Sequence, residues 1–324
     1  MSLNDTKYSI WVLTSIMAFL TIFFNVYIVL TNLKIYRKNG HLLPCEIIIT
    51  TLCFCNGAHQ LACYLWMTLD NLDIVCILND LVYSLLIVVI YSLKFSIVWT
   101  TAFLSFFYST KLVIEPIHCY TRIQEGFLKH TTTVSLAILL VGFGTCMPMV
   151  SVLVINNTTH GNMDCGILVP VTTSGYIYMG YYLIMSDLVP GLLVIKSSIS
   201  IVIHLGIHLY HMKASTNGFH GPKLGSEMRV IRMTLGLVAV FFCFVAMDLY
   251  MHYRNVMFHN AMLYLTGLFT SVYTAASSLI LLYSKKSNWK ELLHIYNQFL
   301  DEYPCLACLK VPEGKRKDTA EDKH

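Results

Sequence analysis

The sequence predicts an all-α membrane protein: a seven-transmembrane helix bundle, N-terminus outside, with a short amphipathic helix after the seventh span. Three observations predict it. Seven apolar stretches divide the chain, each meeting the roughly 20 residues a helix needs to cross a hydrocarbon core. Only 12% of the 324 residues are charged, against about a quarter in soluble proteins, and mean hydropathy is +0.62. The basic residues gather in alternate connectors.

The stretches run Tyr8–Leu33, Ile47–Met67, Leu78–Leu112, Thr131–Ile155, Gly175–Ile207, Val230–Met251 and Asn260–Tyr283. Backbone polar groups in lipid are satisfied only by a helix or a closed barrel. Runs this long without period-2 alternation are helices. Ahead of the first, Met1–Lys7 is short and polar, and the run behind it is too long for a cleaved leader, so it reads as a signal-anchor helix. Behind the seventh, Trp289, Leu292, Leu293, Tyr296, Phe299 and Leu300 recur at helical spacing opposite Lys290, Glu291, Asn297 and Gln298. That pattern predicts an amphipathic interfacial helix over 286–300.

Orientation follows from the connectors. Lys34, Arg37 and Lys38 follow the first span, Lys111, Arg122 and Lys129 surround the connector after the third, Lys213, Lys223, Arg229 and Arg232 occupy that after the fifth, and Lys285, Lys286 and Lys290 follow the seventh. The other connectors carry Asp70, Asp73, Asp164 and one arginine, Arg254. The positive-inside rule then puts the C-terminus in the cytoplasm. The three glycosylation acceptors, Asn4, Asn156 and Asn157, each open an N-x-[ST] triplet on the side so assigned to the exterior. The net charge of +4 is accounted for by a cytoplasmic membrane face and calls for no nucleic acid.

Of 11 cysteines, most lie in apolar runs, where thiols act as small hydrophobes. Cys76 and Cys165 are the two external ones and candidates for a disulfide. Cys305 and Cys308 follow the amphipathic helix and are open to palmitoylation or to remaining free thiols. No zinc spacing occurs. His204, His208 and His211 cluster at one end of the fifth span, where an interfacial polar end explains them more cheaply than a metal. No cofactor or metal is called for, and no H-E-x-x-H, G-x-S-x-G or paired intramembrane Asp motif marks an enzyme.

Charges inside the spans carry the functional reading, because an ionisable group in mid-bilayer costs a few kcal/mol and normally faces a cavity or a partner. Lys94 lies near the middle of the third run, Asp187 in the outer part of the fifth, Lys196 deeper in it, and Asp248 near the outer end of the sixth, one turn before His252. Lys94 and Asp248 are read as polar anchors of a cavity open to the outside. The bland alternatives are a structural ion pair or a snorkelling lysine. Trp66, Tyr91, Phe95, Phe244 and Tyr264 stand at suitable depth to line such a cavity, although packing or an interfacial belt accounts for such aromatics equally well.

The third run ends WTTAFLSFFYSTK over residues 99–111, which resembles the W-x-A-T-C-L-x-x-F-Y-x-x-K-I signature of the type 2 (bitter) taste receptors, a family of G protein-coupled receptors. Leu104, Ser105, Phe107, Tyr108 and Lys111 match it. Pro190 followed by His208 and Met212 is similar to the family's Pro with H-x-x-x-M at fixed distance, and GFHGP at 218–222 resembles its G-F-R-D-P. Weaker likenesses lie in NVYIVLTN at 25–32 and EIIITTL at 46–52. Departures mark a divergent member, consistent with a non-mammalian lineage: Asn56 replaces the second-span arginine, Glu227 the sixth-span histidine, and Ser277 with Ser278 the H-S pair.

The resemblance implies a chemosensory receptor of the plasma membrane. Residues 1–310 would form the receptor domain and 311–324 a flexible cytoplasmic tail. It would bind a small bitter agonist and activate a heterotrimeric G protein of the gustducin or Gi-like type. Lys94 takes the place of an Asn that contacts agonists, and Phe244 that of a tyrosine linked to activation. Tyr108, Lys111, His208, Met212 and Arg232 would face the G protein, although orientation alone explains Lys111 and Arg232. The family typically lacks a Cys76–Cys165 bridge. The alternatives are a vomeronasal type 1-like pheromone receptor, against which the spacing after Pro190 counts, and a small-solute transporter, against which the odd span number and lack of a repeat count.

Overall fold

The computed structural model describes residues 3–72, 80–112, 122, 125–127, 129–152, 154–155, 168–169, 172–215, 225–258 and 263–302. Among them, seven helices are long and apolar enough to cross a membrane: Tyr8–Asn39, Pro44–Leu72, Leu81–Lys111, Thr131–Val152, Thr173–His204, Ile231–Arg254 and Tyr264–Ser284. They fall on the seven stretches of the sequence, and the fold is a seven-helix bundle.

Local chemistry sets the ends. The first helix runs Leu3–Asn39 and stops where Gly40 takes φ 75° and donates its N–H to the Tyr36 carbonyl at 2.8 Å. A left-handed glycine is a standard helix terminator. The second helix restarts at Pro44, whose missing N–H costs nothing in the first turn. Glu46 there accepts the Leu43 N–H at 3.2 Å.

The fourth span departs from the helix expected to run through Ile155. It is helical over Thr131–Cys146, turns at Met147 and Pro148, and resumes briefly over Met149–Val152. Val154–Ile155 then pairs antiparallel with Leu168–Val169 in a two-residue ribbon. Pro148 has no N–H and its ring blocks the regular bond to the residue four before it, although Met147 itself keeps helical angles, and the β-branched residues beyond suit a strand.

The fifth span carries the other departure. Helix Thr173–Leu183 passes through a π turn, Ile184–Leu188, before continuing as Val189–Ser215. Pro190 sits just past this turn. Its ring blocks the regular bond to the residue four before it, and one extra residue in the turn absorbs the misfit. The Met185 carbonyl inside the turn accepts the Trp99 indole N–H at 2.9 Å, so it stays satisfied. The same turn brings two consecutive side chains, Ser186 and Asp187, to full burial.

The first span packs on the second and seventh, the third on the second, fourth and fifth, and the sixth on the seventh. Gly142 lets the fourth span approach the third: a Cβ there would stand 2.9 Å from Ser96 Oγ and 3.1 Å from the Ser92 carbonyl. Small residues at such contacts are how membrane helices gain dispersion energy, since lipid offers no hydrophobic drive between them.

Two apolar clusters fill the interior. One includes Leu52, Val98, Leu104, Tyr108, Leu237, Phe244 and Tyr273. The other includes Trp66, Met67, Tyr83, Phe95, Tyr182 and Tyr264. Where they meet, the helices contribute buried polar side chains: Asn56, His59 and Gln60, Lys94, Ser186 and Asp187, Asp248, Ser271 and Thr274. Asn56 donates to Ser277, Gln60 donates to Thr274, and Ser271 donates back to Gln60, joining the second span to the seventh.

After the seventh span, helix Lys286–Asp301 matches the predicted amphipathic segment. Leu300 is buried, Leu292 packs on the first cluster, and Trp289 and Phe299 stay exposed. An exposed Lys34–Glu291 ion pair at 3.3 Å ties the helix to the first one.

Candidate functional site: a charge cluster inside the bundle

Lys94 stands close to the midpoint of helix Asp80–Leu112, buried among the neighbouring helices. Its ammonium donates a hydrogen bond to Oδ2 of Asp248 on the sixth span. Oδ2 of Asp187, carried inward by the π turn, lies 3.9 Å from the same nitrogen and accepts a 2.5 Å bond from its neighbour Ser186. His252, one turn beyond Asp248, points Nε2 at its Oδ2 from 3.6 Å, beyond a hydrogen bond. All four side chains are buried. Oδ1 of Asp187, Oδ1 of Asp248 and Nε2 of His252 have no hydrogen-bond partner.

Aromatic rings close round the cation. The Lys94 nitrogen is 5.7 Å from the Tyr182 ring centre and 5.9 Å from that of Phe244, within cation–π range. Tyr182 meets Tyr91 edge-on at 5.3 Å, and its hydroxyl donates to the Tyr91 carbonyl at 3.2 Å. Phe244 stacks on Tyr273 at 4.6 Å. On its other side Lys94 borders a cavity of about 20 Å³ between the second, third and seventh spans, with His59, Trp66, Met67, Tyr91, Gly267 and Thr270 among its walls. That is room for about one water, whereas drug-sized ligands fill sites of about 300 Å³ or more. The arrangement is closed.

A family model described as taste receptor protein (TAS2R) matches residues 3–296. The chain belongs to this family. It is therefore a taste receptor of the G protein-coupled class, and its family is one of receptors, not enzymes. The match runs from the first helix through the seventh span into the amphipathic helix, agreeing with the resemblance of the third- and fifth-span motifs. No curated protein matches the chain.

In this TAS2R member, Lys94, Asp187, Asp248, His252 and Phe244 converge as one group, and Tyr91 and Trp66 share the small cavity with Lys94. Tyr264 packs on Trp66 at 5.1 Å and donates to Asp70. Phe95 goes elsewhere: it lies 5.9 Å from Trp99 and lines the approach to Gly142, serving the third–fourth span contact. Lys196 is exposed on the fifth span and does not join the cluster. Sequence reasoning missed His59, Gln60, Tyr182 and Ser186. His59 carried a signal, standing seven residues, two helical turns, before Trp66 on one face.

At the far end of the bundle, Tyr108 is buried and Lys111 and Arg232 are exposed. Tyr108 lines a cavity of about 170 Å³ with Ile28, Asn32, Glu46, Met233 and Lys285. Lys285 Nζ reaches Glu46 Oε1 at 2.9 Å beside it, joining the start of the second span to the end of the seventh. His208 and Met212 lie on helix Val189–Ser215 and Asn4 on helix Leu3–Asn39, with side chains outside the description. Asn156, Asn157, Cys76, Cys165, Cys305 and Cys308 lie outside the described residues.

Proposed function

We propose that this taste receptor binds small bitter compounds within the helix bundle, beside Lys94, and passes the event to a gustducin- or Gi-type G protein at the Lys111 end. The observation that carries the reading is the charge cluster. A helix bundle that needed only to fold would gain stability from apolar residues there; ionisable groups inside membrane spans mark ligand or ion pathways. Trp66, Tyr91, Phe244, His252 and Tyr264 give the cluster the apolar surround and few polar anchors of a small-molecule site.

The proposed orientation has the N-terminus and the Trp66–Tyr264 end outside, in the plasma membrane, with residues 311–324 a cytoplasmic tail. Connector charge supports it. Ligand opens the closed cavity by binding the active arrangement better than the resting one, and helix movement at the other end exposes the region of Tyr108, Lys111 and Arg232 to the G protein. Family membership weighs against the vomeronasal type 1-like alternative.

The test is a calcium-signalling screen of chemically varied bitter compounds in cells carrying the receptor and a gustducin-type chimera. Dose-dependent signals absent from mock-transfected cells are expected. Silence across the panel, in cells where the receptor reaches the surface, would overturn the reading.

A further inference from the structure

With both carboxylates ionised, the charge cluster does not balance. Lys94 is the cation recorded within 4 Å of Asp187 and Asp248 among the described residues, and it faces two carboxylates. His252 does not make up the difference: an imidazolium would donate to Asp248, and at 3.6 Å its Nε2 makes no hydrogen bond. Nor do the donors reach every acceptor. Lys94 serves Asp248, Ser186 serves Asp187, and two carboxylate oxygens remain, Asp187 Oδ1 and Asp248 Oδ1, buried and without a donor, with His252 Nε2 beside them also unpartnered. A buried acceptor left unmatched loses the hydrogen bond it would have with water.

The geometry points to an agonist carrying a protonated amine, seated against Asp187 with Asp248 and His252 beside it. This rests on the small-molecule receptor reading above and narrows its ligand class. An ammonium group supplies what the cluster lacks, one positive charge and several N–H donors. An anionic ligand brings more acceptors and more negative charge to a place with a surplus of both, and finds the one cation already engaged. Asp187 is the seat because its nearest cation, at 3.9 Å, is beyond hydrogen-bond range. Tyr182 and Phe244, whose rings already face the Lys94 ammonium, offer the same faces to the carbons of an alkylammonium.

The experiment uses aryl-alkyl amines in matched triplets: the tertiary amine, its uncharged carbon isostere and the corresponding carboxylate. Each is assayed by calcium signalling on the wild-type receptor, on Asp187→Asn and on Asp187→Glu, with surface density measured in parallel. The expected result is that amines act at concentrations at least tenfold below their isosteres. Asp187→Asn should remove that advantage while Asp187→Glu, which keeps the charge, retains most of it. Because Asp187→Asn leaves one cation facing one carboxylate, it should reach the surface; the Glu variant covers the case in which it does not. Isosteres or carboxylates as potent as amines would overturn the inference while leaving the receptor reading standing. So would an equal shift of all three triplet members in Asp187→Asn. No response to any member on a surface-expressed wild-type receptor would defeat both.

Discussion

The Lys94 ammonium donates to Oδ2 of Asp248 across the interface of the third and sixth spans, with both side chains buried. The pair couples two helices that the proposed signalling movement would shift relative to one another. Its removal therefore has a structural and a functional consequence, which two variants separate. Lys94→Ala leaves Asp187 and Asp248 together without a cation within 4 Å. Breaking a buried pair costs about 3–5 kcal/mol, so surface density should fall severalfold by surface biotinylation. Lys94→Met with Asp248→Asn removes one charge of each sign, leaves Asp187 as the single carboxylate, and should recover part of the density. A double variant no better than the single would show that the pair does not hold the two spans together.

Gly142 makes a second prediction. A Cβ there meets Ser96 Oγ at 2.9 Å, the Ser92 carbonyl at 3.1 Å and Phe95 Cδ1 at 3.2 Å, whereas one at Gly144 meets nothing within 4 Å. Gly142→Val must push the fourth span from the third, at an overpacking cost of about 1–3 kcal/mol. Its detergent-extracted form should melt earlier than wild type, and Gly144→Val should not. Equal melting of both variants would mean that the third–fourth contact is looser than the structure has it.

The cavity beside Lys94 can be reduced with little effect on folding. A methyl at Gly267 would come within 2.6 Å of Met67 Cε, the free end of a flexible side chain that can swing aside, and both residues line the cavity. Gly267→Ala should keep wild-type surface density. An agonist should lose potency by tenfold or more, the usual worth of one methyl-sized change in a pocket. An unchanged dose–response curve would place the agonist elsewhere.

Much of this could be read from the residues. The spans followed from run length, and the Lys94–Asp248 association from the cost of mid-bilayer charge, with the structure choosing the ion pair over a snorkelling lysine. The π turn is hidden: a regular helix rotates 100° per residue, and the hydrophobic period does not show where one extra residue enters a single turn. Depth alone does not separate Phe95 from the other aromatics. Phe95 follows Lys94 by one residue, hence 100° round the helix toward the fourth span, whereas Tyr91, three residues before, stays within 60° of the Lys94 face. The strand after Pro148 belongs to a connector, where pairing with Leu168–Val169 is a long-range matter that local propensity does not encode.

Orientation has its own test. Asn156 and Asn157 open overlapping acceptor triplets in the connector after the fourth span, and only a lumenal or external connector meets the glycosylation machinery. Asn156→Gln with Asn157→Gln should lower the apparent mass on gels, with glycosidase treatment bringing wild type toward the same position. Identical mobility of wild type before and after glycosidase would count against external placement of all three acceptors.

At the opposite end, the Lys285–Glu46 bridge of 2.9 Å joins the second span to the seventh beside the 170 Å³ cavity that Tyr108 and Met233 line. With the lysine side chain 37% exposed, water screens the pair, and its worth is about 1 kcal/mol or less. That is enough to matter for a conformational balance, since 1 kcal/mol shifts an equilibrium about fivefold. If the bridge is made in the resting arrangement and parts when this end opens, Glu46→Gln favours opening without ligand. Basal signalling per surface receptor should then rise by up to about fivefold, while Lys34→Gln, which cuts the more exposed link to Glu291, should leave it unchanged. Basal signalling that falls in Glu46→Gln would mean the bridge belongs to the active arrangement, and equal effects in both variants would mean that neither contact is specific to one state.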